Sequence, residues 1–233
     1  MSDVRDPAAP HAETIGRRVH GAQPVVVERW GRVPYAEALA RQLELHTARV
    51  MNQVPDTLVV VEHPPTITLG RHCDEGDVLT DRSELAGRGV EVVRTDRGGR
   101  ATYHGPGQIV LYPIVSIDAR GIGVKTWVCL LESAILDTLA DYSIEGLRRP
   151  GTAGIWTWRG KIASIGLRIV RGVSYHGLAL NTGLDASAFA DIVTCGVRAE
   201  SVTSIGAHTT SAPGSQEISE RLTAHIIRRM QER

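Results

Sequence analysis

An α+β fold, a mixed and largely antiparallel sheet with packed helices, is predicted by three features of the 233-residue sequence. Strand and helix signals do not alternate in the strict order of βαβ units. Hairpin signals interrupt them, the clearest being Trp156-Thr157-Trp158-Arg159-Gly160-Lys161 with Gly160 in the turn. Long stretches carry apolar residues at helical spacing, each able to lay one face on such a sheet.

The elements follow in chain order. Residues 1–20 are polar and proline-bearing, too poor in apolar surface to offset their ordering entropy, so a flexible segment is expected ahead of one domain over 21–233. Residues 25–27 read as a strand. After Pro34, a favoured first-turn residue, Tyr35, Leu39, Leu43, His46 and Val50 recur at helical spacing. Residues 58–62 and 66–69 read as strands separated by Pro64-Pro65, residues 81–88 as a short helix with Gly89 past its end, and 90–94 as a further strand. A glycine-rich loop leads into the apolar run 108–113. A second long helix spans 124–142 with Trp127, Val128, Leu131, Ile135 and Leu139 on one face; Cys129, between Val128 and Leu130, reads as a packed apolar group. Strands 162–170 and 175–181 follow the hairpin. After a Thr/Ser/Pro/Gly-rich linker at 209–215, Ile218, Leu222, Ile226 and Met230 mark a C-terminal helix.

Composition narrows the function classes. Lys plus Arg equals Asp plus Glu at 26 each, so no overall field attracts nucleic acid or an anionic membrane. The three cysteines, Cys73, Cys129 and Cys195, are an odd number in a chain too large to need staples, which points to a reducing compartment without disulfides. No apolar leader or spanning run is present, so a cytoplasmic protein is expected. His63, His72 and Cys73 lack the paired spacing of a closed zinc site, and no metal is expected.

The most specified stretch is 97–113, RGGRATYHGPGQIVLYP, which joins Gly98, Gly99, Gly105 and Gly107 to Pro106, His104 and an abrupt strand apolar on both faces. A turn between strands accounts for three of these glycines. Arg97, Arg100 and His104 add donors of the kind that hold anions and carbonyl oxygens. Walker-type and GxGxxG patterns are absent. Cys195, in Thr194-Cys195-Gly196, lies outside any amphipathic pattern and is the best nucleophile candidate. Lys161 and Lys125 are the only lysines. On spacing alone Lys161 is an exposed hairpin lysine, but a lysine can lose and regain a proton where an arginine hardly can.

These residues resemble the signature of the octanoyltransferases of the lipoate-protein ligase B family. The resemblance continues through Gly160 to Gly166 (GKIASIG) and His176 to Asn181 (HGLALN), ends at Cys195-Gly196, and covers roughly residues 25–205. It implies the biotin and lipoate protein ligase fold and a single catalytic domain. The implied reaction moves an octanoyl group from acyl carrier protein, through a thioester on Cys195, to a lysine of a lipoyl domain in 2-oxoacid dehydrogenases or the glycine cleavage H protein. It implies Lys161 as the partner of Cys195. It assigns Arg97, Gly98, Gly99, Arg100, Ala101, Thr102, Tyr103, His104, Ser164, Ile165, Gly166, Gly177, Leu178 and Ala179 to the acyl thioester. No cofactor is implied beyond the phosphopantetheine arm of the carrier, and a monomer is expected. His104 and His176 read either as structural histidines or as proton carriers. Thr194 departs from the proline usual in the family before this cysteine. Arg94, Arg97, Arg100, Arg159, Arg168 and Arg171 flank the site in sequence as a basic rim for an acidic carrier. The alternatives are an ATP-dependent lipoate or biotin ligase, which needs no cysteine, and a non-catalytic carrier-binding module.

Overall fold

A computed structural model describes residues 12–13, 24–194, 201–210 and 213–232. The strands are β1 (Ala12–Glu13), β2 (Val25–Arg32), β3 (Asp56–Glu62), β4 (Thr66–Leu69), β5 (Glu91–Arg94), β6 (Ala101–His104), β7 (Gln108–Ile114), β8 (Leu147–Arg149), β9 (Thr152–Thr157), β10 (Gly160–Val170) and β11 (Val173–Asn181). The helices are α1 (Tyr35–Val50), α2 (Arg82–Gly87), α3 (Val124–Ala140) and α4 (Ser215–Gln231). Eight strands form one sheet in the order β1-β2-β3-β7-β11-β10-β9-β8, and β5-β4-β6 form a second. Among the described strands only β2–β3 and β4–β5 pair in parallel, so the sheets are mixed and largely antiparallel. Among the described residues no helix is long and apolar enough to cross a membrane.

Strand β7 is buried along its whole length and supplies both faces of the large sheet. Ile109 and Leu111 join α3 and α4 in one core, with Trp127, Leu131, Ile135, Leu222 and Ile226, while Val110, Tyr112 and Ile114 join Ala38 of α1 in the other. This is the period-2 alternation of a strand covered on both sides. On α4 the four residues expected inside, Ile218, Leu222, Ile226 and Met230, are all buried.

Several expectations are corrected. Residues 101–104 are strand β6, paired antiparallel with β4 from Thr66↔His104 to Leu69↔Ala101, so the glycine-rich stretch is two tight turns around a strand. The buried residues of α1 are Tyr35, Ala38, Gln42, His46 and Arg49, while Leu43 is exposed. This face is polar because the sheet beneath it has polar groups to satisfy. Gln42 Oε1 accepts from the His176 amide at 3.0 Å, His46 Nε2 lies 3.2 Å from Val170 O, and Arg49 Nε donates to Asp56 Oδ1 at 2.7 Å. Cys129 is exposed rather than packed. Cys129→Ala therefore leaves no cavity and should shift the unfolding free energy by less than about 0.5 kcal/mol; a loss above 1 kcal/mol in chemical denaturation would show that the thiol is buried after all.

Candidate active site

The local fold at β11 is irregular in a way that shapes the site. Pairing of β11 with β7 runs from Asn181↔Gln108 to Leu178↔Leu111 and resumes only at the single bridge Val173↔Ser116. In the gap lie Pro113, which has no N–H to give, and His176, whose φ of 54° is left-handed. Such a conformation costs of order 1–3 kcal/mol and persists only where its surroundings over-determine it. Here the Gln42 amide takes the N–H that the ladder does not. Gly177 follows because there is no room for anything else: a Cβ there would stand 1.9 Å from Leu111 O.

Gly177 pairs with Gly166 of β10, and the glycine loop crosses above that pair. The Gly98 amide donates to Leu167 O at 3.0 Å, and a Cβ on Gly166 would come within 2.8 Å of Gly98 O. The loop backbone can lie this close to the sheet only over a glycine. Its other side is held by the small sheet. Arg97 is buried, and its guanidinium donates to Thr68 O at 2.6 Å, Thr68 Oγ1, Gly98 O and Arg100 O. Arg100 reaches back to Asp77 at 2.6 Å and Asp74 at 2.7 Å.

Between loop and strands lies a cavity of about 430 Å³, within the range of small-molecule sites. Of the predicted acyl-site residues it is lined by Arg97, Gly98, Gly99, Arg100, Ala101, Thr102 and His104, by Ser164, Ile165 and Gly166, and by Gly177, Leu178 and Ala179. Tyr103 is the exception. Alternation along β6 turns it to the far side, where its ring packs against Phe189 at 5.8 Å between centroids. Sequence reasoning missed Tyr35, Tyr112, Val124, Val128 and residues 151–153, which also line the cavity. Four separate segments supply them, none of which the resemblance assigns to the site.

Lys161 lines the cavity and is only 5% exposed, so it is not the exposed hairpin lysine that spacing alone suggests. Pairing of β9 with β10 shifts register between Lys161 and Ala163, a bulge that re-aims the strand. The ammonium sits 4.7 Å from the centroid of Trp156, and Lys161 N and O bond Ser201 O and Thr203 N at 2.8 and 2.9 Å. Thr194 lines the same cavity and forms a parallel bridge with Ala101. Cys195, the next residue in the chain, and Gly196 lie outside the described residues.

His63, His104, His176 and Cys73 each have a partner within the fold. His104 is buried, with Nδ1 2.8 Å from Gln108 Oε1 and Nε2 3.3 Å from Thr68 Oγ1, and burial holds its pKa well below the ordinary value. His63 sits 2.7 Å from both Val33 O and Tyr112 Oη, again with its pKa lowered by burial. His176 contacts Asp96 Oδ1 through Nε2 at 2.7 Å. Burial, then Asp77, push the Cys73 thiol up to about 11, away from thiolate at neutral pH. Neither Cys73 nor Cys129 lines the cavity. The basic rim is smaller than its sequence suggests, because Arg97 and Arg100 are engaged within the fold and Arg168 Nε lies 3.7 Å from Asp96. Arg94, Arg159 and Arg171 remain exposed.

Comparison with known proteins agrees with this geometry. The lipoyl protein ligase A/B catalytic domain matches residues 34–227. An octanoyltransferase of Chloroflexus aurantiacus is 43% identical over 205 residues, 87% of this chain and 92% of the relative. Among solved structures, a putative lipoate protein ligase from T. acidophilum with bound lipoic acid superposes with a TM-score of 0.67 at 14% identity, over 88% of this chain and 85% of the other. A biotin protein ligase from Aquifex aeolicus in complex with biotin and ATP gives 0.56 at 11% identity, over 88% and 70%. The fold is thus shared with known ligase structures, and the chain belongs to the lipoyl protein ligase A/B catalytic-domain family.

Proposed function

We propose that this protein transfers an octanoyl group from the phosphopantetheine thiol of acyl carrier protein to a lysine of lipoyl domains, through a thioester on Cys195. The observation that carries this reading is a buried lysine, Lys161, in a mostly apolar-walled cavity that Thr194, the residue before Cys195, also lines. Octanoyltransferase relatives at 43% identity support the same acyl group.

In the first half-reaction the Cys195 thiolate adds to the octanoyl carbonyl and the carrier thiol leaves with a proton, giving octanoyl-Cys195. In the second, the acceptor amine loses its ammonium proton, adds to that thioester and displaces the Cys195 thiolate, forming an amide. Lys161 is the cation that favours the thiolate and the group that moves these protons. Ile165, Leu178 and Ala179 from the paired strands β10 and β11 offer apolar wall to the alkyl chain. No cofactor enters this scheme, and the polar carrier arm would remain at the cavity mouth.

Incubation with octanoyl-acyl carrier protein is expected to add one octanoyl mass to Cys195, removable by hydroxylamine as thioesters are. An adduct on Cys73 or Cys129 would sink the assignment. Acylation of a lipoyl domain that needs ATP and proceeds without any protein adduct would place the chain with the ligases instead.

A further inference from the structure

Asp96 stands one residue before the glycine loop, outside every motif that the sequence offers. Its carboxylate meets three side chains of the paired strands β10 and β11. Oδ1 is 2.7 Å from His176 Nε2, Oδ2 accepts from the Tyr175 hydroxyl, and Arg168 Nε is 3.7 Å from Oδ2. His176 is the left-handed residue at which β11 leaves its ladder, and its Nδ1 points to the Tyr35 hydroxyl at 3.5 Å. Tyr35 and His176 both line the cavity.

The charges fit a latch. Burial raises the Asp96 pKa, but hydrogen bonds from His176 and Tyr175 outweigh it and hold the carboxyl below its ordinary value. Burial lowers the pKa of His176, with partial compensation from Asp96. At neutral pH a carboxylate therefore accepts from the Nε2–H of a neutral imidazole, which leaves Nδ1 to accept from Tyr35. This fixes the tautomer of a cavity-lining histidine from the residue that precedes the loop wall.

Arg97 ties the loop to the small sheet through Thr68. Its links to the large sheet are of another kind: the Gly98 amide on Leu167 O, and Asp96. We infer that Asp96 is a positioning residue of the acyl site, latching the glycine loop to β11 and so setting the width of the cavity between the loop wall and the Gly166–Gly177 wall. The inference rests on reading that cavity as the acyl site. Its side chain is 49% exposed, so the latch closes from the solvent side and can be removed without opening the core.

The test compares Asp96→Ala and Asp96→Asn with the native chain, using octanoyl- and decanoyl-pantetheine thioesters as donors. A loop that spends only a tenth of its time in place raises apparent KM about tenfold. In Asp96→Ala, KM for the octanoyl donor should rise about tenfold, the preference between the two chain lengths should shrink, and the single-turnover acylation rate at saturating donor should stay within threefold. Asp96→Asn keeps an oxygen that accepts from His176 and should recover most of the loss. Amide hydrogen exchange of Gly98 should quicken at least tenfold in Asp96→Ala while amides of β7 hold. A purely structural role would lower the melting temperature and leave KM and chain-length preference unmoved, which overturns the inference, as does unchanged exchange at Gly98. If the native protein transfers no octanoyl group, the proposed function fails by itself and the exchange measurement still decides the latch.

Discussion

Replacing Lys161 with alanine is expected to reduce octanoyl transfer by about 10²–10⁴-fold, the usual worth of a positioned proton-transfer group. The expectation rests on the lysine's place. It is nearly buried in the cavity wall beside Trp156, where its charge is less screened than at a surface hairpin. Lys161→Arg separates its two roles. A guanidinium can keep the cation and its contact with the Trp156 ring but hardly ever deprotonates. If the lysine only favours the Cys195 thiolate, the arginine variant keeps much of the first half-reaction and of the second. If it is also the base, the variant forms octanoyl-Cys195 and fails to pass it on, because the acceptor ammonium keeps its proton. The arginine must also fit beside Gly154, where a Cβ would be 3.3 Å from Lys161 Cε, so a melting temperature belongs with each rate. Both roles are lost if the thiolate absorbance of Cys195 titrates near ~8.5 in the native protein and does not change in Lys161→Ala. Cys195→Ala should abolish adduct and transfer together.

The sequence was legible where local pattern and tertiary packing ask for the same residue. On α4 a clean 3.6-residue period puts Ile218, Leu222, Ile226 and Met230 inside, and β7 shows its double burial in an unbroken apolar run. The cavity was legible for a different reason. Gly166 and Gly177 mark places where backbone must touch backbone, which the chain cannot disguise. What stayed hidden was tertiary. The face of α1 is set by the His176 amide, which bonds Gln42 rather than β7, and by Asp56, both distant in sequence, so apolar periodicity placed Tyr35 and His46 inside but also turned Leu43 inward, where it is exposed. Strand β6 was hidden inside a glycine-rich run because its partner, β4, lies some 35 residues upstream, as in Thr66↔His104. Strand β8 is three exposed residues, Leu147–Arg149, at the sheet's edge, with charge where a strand pattern expects apolar side chains. Asp96 carries no signal beyond its position, since an aspartate before a glycine turn is ordinary turn chemistry until its partners on β11 are known.

Acid should destabilise this protein well above the pH at which carboxylates titrate. His63, His104 and His176 are all buried, and in each burial lowers the pKa below the ordinary 6.5. The unfolded chain therefore binds a proton on each near pH 6.5, while the folded chain stays neutral at these sites until a lower pH. Stability is fully present above 6.5 and falls as pH drops through the window between 6.5 and the lowered folded values, because there the unfolded state binds more protons. Each such histidine lowers stability only where the unfolded chain holds the proton and the folded ring does not, a difference worth at most about 1.4 kcal/mol per pH unit. The unfolding free energy should therefore fall as pH drops below neutral. Asp96 adds to the loss only lower, since its depressed carboxyl keeps its contribution until pH falls below the ordinary carboxylate range. The measurement is the unfolding free energy from denaturant titrations at pH 8, 7, 6 and 5, repeated in His63→Gln. Glutamine cannot take up the proton, so that variant should show a shallower loss of stability between pH 6 and 5, whatever its absolute stability. A native stability flat from pH 8 to 5, or an unchanged slope in the variant, would mean that these rings take up protons in the fold as readily as in the unfolded chain.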